Sequence, residues 1–280
     1  MILRTDVKIN LGLNVLRKRP DGFHDLETLF IPCKEYGDTL EVITADDYSR
    51  TCASISARYK ASSIAQGISD DGKTMITIAR SQGVDWDPVK DLCVKACKAL
   101  RADFDLPPVK IFLEKGAPVG AGLGGGSSDA AFTLKALNEI FGLGLGEDKL
   151  CEYAATLGSD TSFFIYDRPM FGSGRGEILE PFDPGLEEQG LQIRLVVPEG
   201  ISVSTAQAYS GISPALAAIP LREVLSRPIE QWKDLLVNDF EASVFKEHPE
   251  LEAIKQSLYE SGAVYASMSG SGSALFGIYR

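Results

Sequence analysis

Pro118-Val119-Gly120-Ala121-Gly122-Leu123-Gly124-Gly125-Gly126-Ser127-Ser128-Asp129-Ala130-Ala131 is the stretch that packing alone explains least, because five glycines fall within the seven positions 120–126. Glycine has no Cβ to hold a ligand off the backbone, and it accepts the positive φ values that turn successive N–H groups into one concavity. The serines that follow are placed to cap a helix whose apolar residues Ala131, Leu134, Leu137 and Phe141 share one face. Unpaired N–H groups at the positive end of such a helix favour a phosphate. A tight strand-to-helix connection that binds nothing is the plainer alternative, and the loop taken alone leaves it open.

The residues from Gly120 to Gly125 also satisfy G-x-G-x-x-G, the dinucleotide fingerprint. That fold requires an acidic residue closing a second strand about twenty positions on. Glu139 stands at that distance, but inside the helical run Leu134–Phe141, where it cannot reach a ribose at the strand ends. No Lys-Ser or Lys-Thr follows the glycines, so the stretch is not a P-loop. A protein-kinase glycine loop lies between two strands, whereas here a helix follows. What remains is a phosphate cradle of another type.

With 280 residues and 44% apolar content, the chain is long enough for a large core and for two domains. The net charge of −11 and pI near 4.8 argue against a nucleic-acid or membrane surface, both of which need clustered Lys and Arg. A nucleotide must then be held by local donors, as the glycine loop would provide. The five cysteines show no C-x-x-C spacing and the two histidines are too few for a histidine-rich metal site. A reduced setting fits. Arg4, Asp6 and Lys8 interrupt any signal-peptide core, and no apolar run approaches the roughly 18 residues of a membrane span. The expected location is cytoplasmic.

Upstream of the loop, Val7–Val15 alternates strictly, with Val7, Ile9, Leu11, Leu13 and Val15 on one face and Lys8, Asn10, Gly12 and Asn14 on the other. This is a strand whose polar face is either solvated or functional. Asp21-Gly22 marks a turn before a second strand-like run, Phe23–Ile31, and a short strand is expected over Leu40–Ile43. Residues 45–90 lose periodicity, with strands expected around Cys52–Ala57 and Met75–Ile78. A helix led by Leu92 ends before Pro107-Pro108, and the strand Val109–Leu113 feeds the loop. Beyond the loop helix, Glu147–Leu157 reads as a helix stopped by Gly158. Gly158-Ser159-Asp160 then leads into an aromatic strand Thr161–Ile165, where Asp160 could be no more than a turn residue. Leu191–Pro198 is a strand, and Leu251, Ile254 and Leu258 form a helical stripe. Val264–Met268 and Ala274–Tyr279 flank Ser269-Gly270-Ser271-Gly272-Ser273 as a hairpin. The Asp167-Arg168-Pro169 break suggests domains of 1–166 and 167–280.

Four of these stretches together resemble the GHMP kinase superfamily. They are Val7-Lys8-Ile9-Asn10-Leu11 with Asp21-Gly22-Phe23-His24, the Pro118–Ala131 loop, Gly158–Phe164, and Met268–Ser273. Within the superfamily, Lys8 and Asn10 followed by Asp-Gly-Phe-His are most like the kinases that act on a cytidine diphosphate sugar-alcohol in the non-mevalonate route to isoprenoids. The resemblance implies an α/β (α+β) fold of two domains: an N-terminal mixed α/β domain of the ribosomal protein S5 domain 2-like type, and a C-terminal ferredoxin-like domain, with the active site in the cleft between them. It implies transfer of the ATP γ-phosphoryl group, with Mg²⁺, to the C2 hydroxyl of a methylerythritol unit in a small-molecule substrate.

The same resemblance assigns roles residue by residue. Asp160 accepts or orients the hydroxyl proton, and Lys8 is its cationic partner. An ammonium nearby keeps a carboxylate ionised and stabilises charge on the transferring group. ATP is held by Pro118, Gly120, Gly122, Leu123, Gly124, Gly125, Gly126, Ser127 and Ser128, with Ser128 also the hydroxyl nearest the metal. The cytidine substrate is held by Asn10, Phe23, His24, Thr205 and Tyr209, the last closing an aromatic sandwich on the base. Where some relatives have Ser-Ser-Asn, this chain has Asp129, which would add negative charge near the phosphates. Asp91-Leu92 stands where the family has Asn-Leu, and residues 45–90 look longer than the usual pattern. A homoserine- or mevalonate-type kinase, in which Phe23, His24 and Tyr209 merely pack, remains an alternative, as does a nucleotide-binding regulator that transfers nothing.

Overall fold

The computed structural model describes residues 1–44 and 46–280; position 45, where the aperiodic stretch begins, lies outside the described residues. In chain order come β1 (Ile2–Arg4), β2 (Val7–Lys18), β3 (His24–Cys33), β4 (Thr39–Thr44), α1 (Cys52–Arg58), β5 (Ile64–Ile68), β6 (Thr74–Arg80), α2 (Leu92–Arg101), β7 (Val109–Lys115), α3 (Gly125–Ile140), α4 (Glu147–Ala155) and α5 (Thr161–Tyr166). There follow β8 (Met170–Ser173), β9 (Ile178–Pro181), β10 (Gln192–Val196), α6 (Thr205–Ser210), α7 (Leu221–Leu225), α8 (Trp232–Leu235), α9 (Glu241–Glu247), α10 (Pro249–Glu260), β11 (Tyr265–Met268) and β12 (Leu275–Tyr279). They form two units, neither continuous in sequence. The first comprises Met1–Val7, Tyr36–Pro118 and Gly125–Asp167; the second comprises Lys8–Glu35, Val119–Gly124 and Arg168–Arg280.

The first unit is built on a five-stranded sheet in the order β1-β4-β7-β6-β5. Only β6 and β7 run parallel, because α2 carries the chain from the end of one to the start of the next. Asp91 opens that helix by accepting the Cys93 N–H at 2.9 Å, the capping service an asparagine would perform. The buried residues Cys93, Val94, Ala96, Cys97 and Leu100 of α2 pack on α3, which buries Ala130, Ala131, Leu134 and Leu137. Each fully buried leucine stabilises the unit by about 1.5–3 kcal/mol.

Two segments of this unit differ from the pattern expected of them. Cys52–Ala57 belongs to a helix, not a strand: only Ile55 is buried, packed with Ile43, Ala79 and Phe112. Its start is fixed by the Glu41 carboxylate, which accepts the N–H groups of Arg50 and Thr51 and the hydroxyls of Ser49 and Thr51. Thr161–Ile165 is also helical, with all five residues buried. A run buried on every side has no polar face to set a period, so helix and strand read alike in it. Asp167 ends α5 in the left-handed conformation, φ 50°.

The second unit holds a four-stranded sheet, β2-β3-β8-β9, and a three-stranded antiparallel sheet, β10-β12-β11, with α10 packed on β11 and β12. The hairpin around Ser269–Ser273 is therefore present. Leu13, Val15, Phe240, Leu251, Leu258, Ala266, Met268 and Leu275 share one buried cluster. The polar face of β2 is not solvated: Lys8, Asn10 and Asn14 are 4%, 3% and 5% exposed. A lysine is buried at this level only when its charge is answered nearby.

Candidate active site

In the second unit the answer to Lys8 is the glycine loop itself. Its ammonium donates to the Gly122 carbonyl at 2.9 Å and to Asn10 Oδ1 at 2.5 Å, and lies 5.6 Å from the centre of the Phe30 ring. The backbone follows the same path, with the Lys8 N–H donating to the Leu123 carbonyl at 2.9 Å. Asn10 is fixed in turn: its Nδ2 donates to Thr28 Oγ1 at 3.0 Å, and Thr28 Oγ1 donates to the Gly12 carbonyl at 2.6 Å. The Asn10 N–H donates to Ser269 Oγ at 3.3 Å. Asn238 Nδ2 holds that serine–glycine turn from behind, donating to the carbonyls of Met268 and Gly270 at 2.8 and 2.9 Å.

The glycines have separate reasons. Gly120, Gly122 and Gly124 all take positive φ, at 75°, 78° and 73°. At Gly122 there is also no space: a Cβ would stand 2.5 Å from the Ser269 carbonyl oxygen and 3.0 Å from that of Gly272. Gly125 and Gly126 instead begin α3, so the helix starts before the serines, which sit in its first turn and do not cap it. A Cβ on Gly125 would meet Ala117, Asp38 and Lys115 only at ordinary contact distances of 3.6–3.7 Å, so space does not require glycine there.

In the first unit, the opening turn of α3 lies against the turn that carries Asp160. A Cβ on Gly158 would be 3.2 Å from Thr161 Oγ1 and 3.7 Å from Ser127 Oγ. Asp160 is half-buried at the start of α5, and its side chain does not cap the helix. The hydroxyls of Ser128 and Thr161 are buried without a hydrogen-bond partner among the described residues. Among the described residues no group of three or more His, Cys, Asp or Glu could hold a metal.

Asp129 is turned away from the position where it was expected to add charge near the phosphates. It is buried, and its Oδ2 accepts from Lys115 Nζ at 2.6 Å while its Oδ1 accepts from Thr5 Oγ1 at 2.9 Å. Lys115 also donates to Asp38 Oδ2, and Asp38 Oδ1 accepts the N–H groups of Gly116 and Ala117 at 2.7 and 2.8 Å. Burial pushes the Asp129 carboxyl up to about 8, with Lys115 opposing and Asp38 adding to the rise. Burial disfavours the Lys115 charge, but Asp129 and Asp38 outweigh it and hold the ammonium above its usual range. Sequence reasoning missed this triad because Asp38 lies 77 positions from Lys115. The one local signal was that Lys115 falls on the same alternating face of β7 as the core residues Val109, Ile111 and Leu113.

The aromatic residues expected to hold the base are brought together in part. His24 and Tyr209 stack on each other, centroids 4.7 Å apart and planes 19° apart, and Tyr209 meets Phe240 edge-on at 4.8 Å. A base between two stacked rings needs roughly twice one stacking distance. The expected sandwich with Tyr209 is therefore closed on itself in this conformation. Phe23 stands apart, 54% exposed, with the Arg175 guanidinium 4.8 Å from its ring centre. Thr205 begins α6, whose Ser204 cap accepts the Gln207 N–H at 3.1 Å; Thr205 Oγ1 is 3.2 Å from Ser271 Oγ.

Two family models match the chain: GHMP kinases N terminal domain over residues 91–168, and GHMP kinases C terminal over 220–280. A 4-diphosphocytidyl-2-C-methyl-D-erythritol kinase of Bacteroides fragilis is 45% identical over 280 residues, covering all of this chain and 92% of the relative. The enzyme of the same name from Parabacteroides distasonis is 44% identical, with the same coverage. Among solved structures, that of a 4-(cytidine 5'-diphospho)-2C-methyl-D-erythritol kinase superposes with a TM-score of 0.70 at 30% identity, covering 99% of this chain and 89% of that one. The mevalonate kinase of Methanococcus jannaschii, at 15% identity and a TM-score of 0.63, shares the fold.

Proposed function

The chain belongs to the GHMP kinases, in the family of 4-diphosphocytidyl-2-C-methyl-D-erythritol kinases, and on that premise we propose that it transfers the ATP γ-phosphoryl group to the C2 hydroxyl of that cytidine diphosphate sugar-alcohol. The hydroxyl oxygen attacks the γ-phosphorus, the bond from that phosphorus to the β-bridging oxygen breaks, ADP leaves, and the hydroxyl proton passes to the Asp160 carboxylate. Phosphoryl transfer needs mainly alignment and charge neutralisation. The observation that carries the reading is Lys8, a buried ammonium seated on a carbonyl of the glycine loop and beside Asn10. Binding a nucleotide alone would not require a desolvated cation there.

The division of labour follows from the groups present. Backbone N–H groups of Gly120–Gly126, with Ser127, hold the β- and γ-phosphates at the positive end of α3. Lys8 neutralises charge on the transferring group, and Asn10 sets the position of that ammonium. Mg²⁺ would share the phosphates' charge. With no group of three or more His, Cys, Asp or Glu among the described residues to hold it, it would rest chiefly on phosphate oxygens, with one or two protein oxygens. Ser128 Oγ, whose lone pairs have no donor, fits as one of them. Asp160, at the start of α5, is the base, and such a base contributes about 10²- to 10⁴-fold in rate. Phe23, His24, Thr205 and Tyr209 hold the cytidine end, with Tyr209 turning aside from His24 to admit the base.

A coupled assay of ADP release tests the reading. Turnover is expected with 4-diphosphocytidyl-2-C-methyl-D-erythritol and at least about a hundredfold lower kcat/KM with homoserine or mevalonate, since a site built for polar contacts discriminates strongly against ligands lacking them. Equal turnover on all three would refute it.

A further inference from the structure

We infer that Asp38, Lys115 and Asp129 form a buried ionic clamp that fixes both ends of the glycine loop and keeps its phosphate-binding end electrically receptive. They are positioning residues for the phosphoryl donor. This rests on the reading that the loop holds the triphosphate.

The geometry has three parts. On the incoming side, Asp38 Oδ1 accepts the consecutive N–H groups of Gly116 and Ala117, just before Pro118. On the outgoing side, Asp129 is in the first turns of α3 and is held by both Lys115 and Thr5. Lys115 joins the two, and its Nζ would lie 3.7 Å from a Cβ placed on Gly125, as would Asp38 Oδ2. The side chains are almost wholly enclosed, at 0%, 4% and 2% exposure for Asp38, Lys115 and Asp129. A lone core salt bridge in this unit would need no such address, whereas these three contact the residues on either side of the loop.

Charge gives the clamp a second task. Two buried carboxyl groups close to a helix start, once Asp129 has ionised above about pH 8, would lower its attraction for phosphate oxygens, and water cannot screen them. The single ammonium between them removes most of that penalty. Truncating Lys115 should therefore weaken nucleotide binding through charge as well as through shape, and removing one carboxylate should reverse the charge part. A merely structural role would give additive damage.

The test measures the affinity of the full-length enzyme for a non-hydrolysable ATP analogue by calorimetry at pH 8.5, together with KM for the cytidine substrate. Lys115→Met is expected to weaken the analogue by about tenfold or more while KM for the cytidine substrate changes by less than about threefold. Asp129→Asn keeps an acceptor for Thr5 and should bind the analogue at least as tightly as wild type. Lys115→Met/Asp129→Asn should recover at least half of the loss on a logarithmic scale. If Lys115→Met does not fold, Asp38→Ala replaces it: it deletes the acceptor of the Gly116 and Ala117 N–H groups, and a selective loss of at least about fivefold is expected from misplacement of the loop. Equal loss for both substrates, or a double variant no better than Lys115→Met, would overturn the clamp while leaving the loop's role intact. Failure of the wild type to bind the analogue would instead overturn the loop reading, and the clamp with it.

Discussion

Replacing Gly122 by alanine should damage catalysis far more than the same change at Gly120, although both glycines hold nearly the same backbone angle. With φ values of 75° and 78°, each alanine is strained by about 1–2 kcal/mol. At Gly120 nothing lies within 4 Å of the new Cβ, so strain is the whole cost. At Gly122 the Cβ would stand 2.5 Å from the Ser269 carbonyl oxygen, half an ångström inside the 3.0 Å limit of real Cβ contacts. The obstruction is backbone and cannot rotate away. Its displacement carries Ser269, whose hydroxyl accepts the Asn10 N–H, and so disturbs the Gly122 carbonyl and Asn10 amide on which the Lys8 ammonium rests. A misplacement of about 1 Å in an aligned site costs about a hundredfold, so a shift half as large should lower kcat by at least about tenfold. Urea unfolding separates strain from misalignment: Gly120→Ala should lose about 1–2 kcal/mol and, at saturating ATP, where weaker phosphate binding beside the new Cβ is overcome, keep kcat within about threefold of wild type. If Gly122→Ala kept kcat within that same range, the link from loop backbone to Lys8 would be wrong.

Asp160→Asn should lower kcat by at least about tenfold with little change in ATP affinity, because a base acts in the transition state and not in binding; unchanged turnover would remove Asp160 from the mechanism. Tyr209→Ala removes the ring stacked on His24 and should raise KM for the cytidine substrate about threefold to tenfold with kcat little altered. An equal effect with a substrate lacking cytosine would argue against base recognition. Stability should fall as pH rises from about 4 to 8, the window between the ordinary carboxyl range and the raised value of Asp129, because the folded chain there binds a proton the unfolded chain has released. The slope from this group is at most about 1.4 kcal/mol per pH unit, and Asp129→Asn should remove it; an unaltered pH profile would refute the assignment.

Strands with one uniform chemistry per face were legible in the sequence, as were helices with a clear stripe and capping residues. Val7–Val15, the helix led by Leu92 and the hairpin around Ser269–Ser273 all follow from local pattern. Thr161–Ile165 did not, because a fully buried aromatic run carries no period. Cys52–Arg58 did not, because its start is set by Glu41, on a strand nine or ten positions upstream of the backbone groups it accepts. The site divides the same way. The glycine loop shows itself by composition, since only glycine serves at Gly122. Asp38 shows nothing, because its value lies in reaching two N–H groups nearly eighty positions away. Long-range polar pairing is set by tertiary geometry, which periodicity does not encode.

The net charge of −11 makes a triphosphate an awkward ligand, and if the glycine loop is where it binds, the groups around the loop suit the task. Two of the acidic groups there are turned inward: Asp38 is committed to two backbone N–H groups and an ammonium, and Asp129 to the same ammonium and a hydroxyl. On the proposed reading, the positive groups offered to the ligand are a helix terminus and the loop's N–H groups, which belong to the backbone and carry no formal charge. Lys8 adds a formal cation, and two of its partners are neutral, the Gly122 carbonyl and the Asn10 amide. Neutral acceptors such as Asn10 position an ammonium without cancelling its charge, which is what the proposed role of Lys8 on the phosphoryl group asks of them. The same logic predicts the outcome of Asn10→Asp. A carboxylate at that distance would hold Lys8 at least as firmly but would oppose the phosphoryl group's negative charge, so kcat should fall by at least about tenfold with the fold intact. Retention of kcat in a folded Asn10→Asp enzyme would mean that the charge of Lys8 does not act on the phosphoryl group.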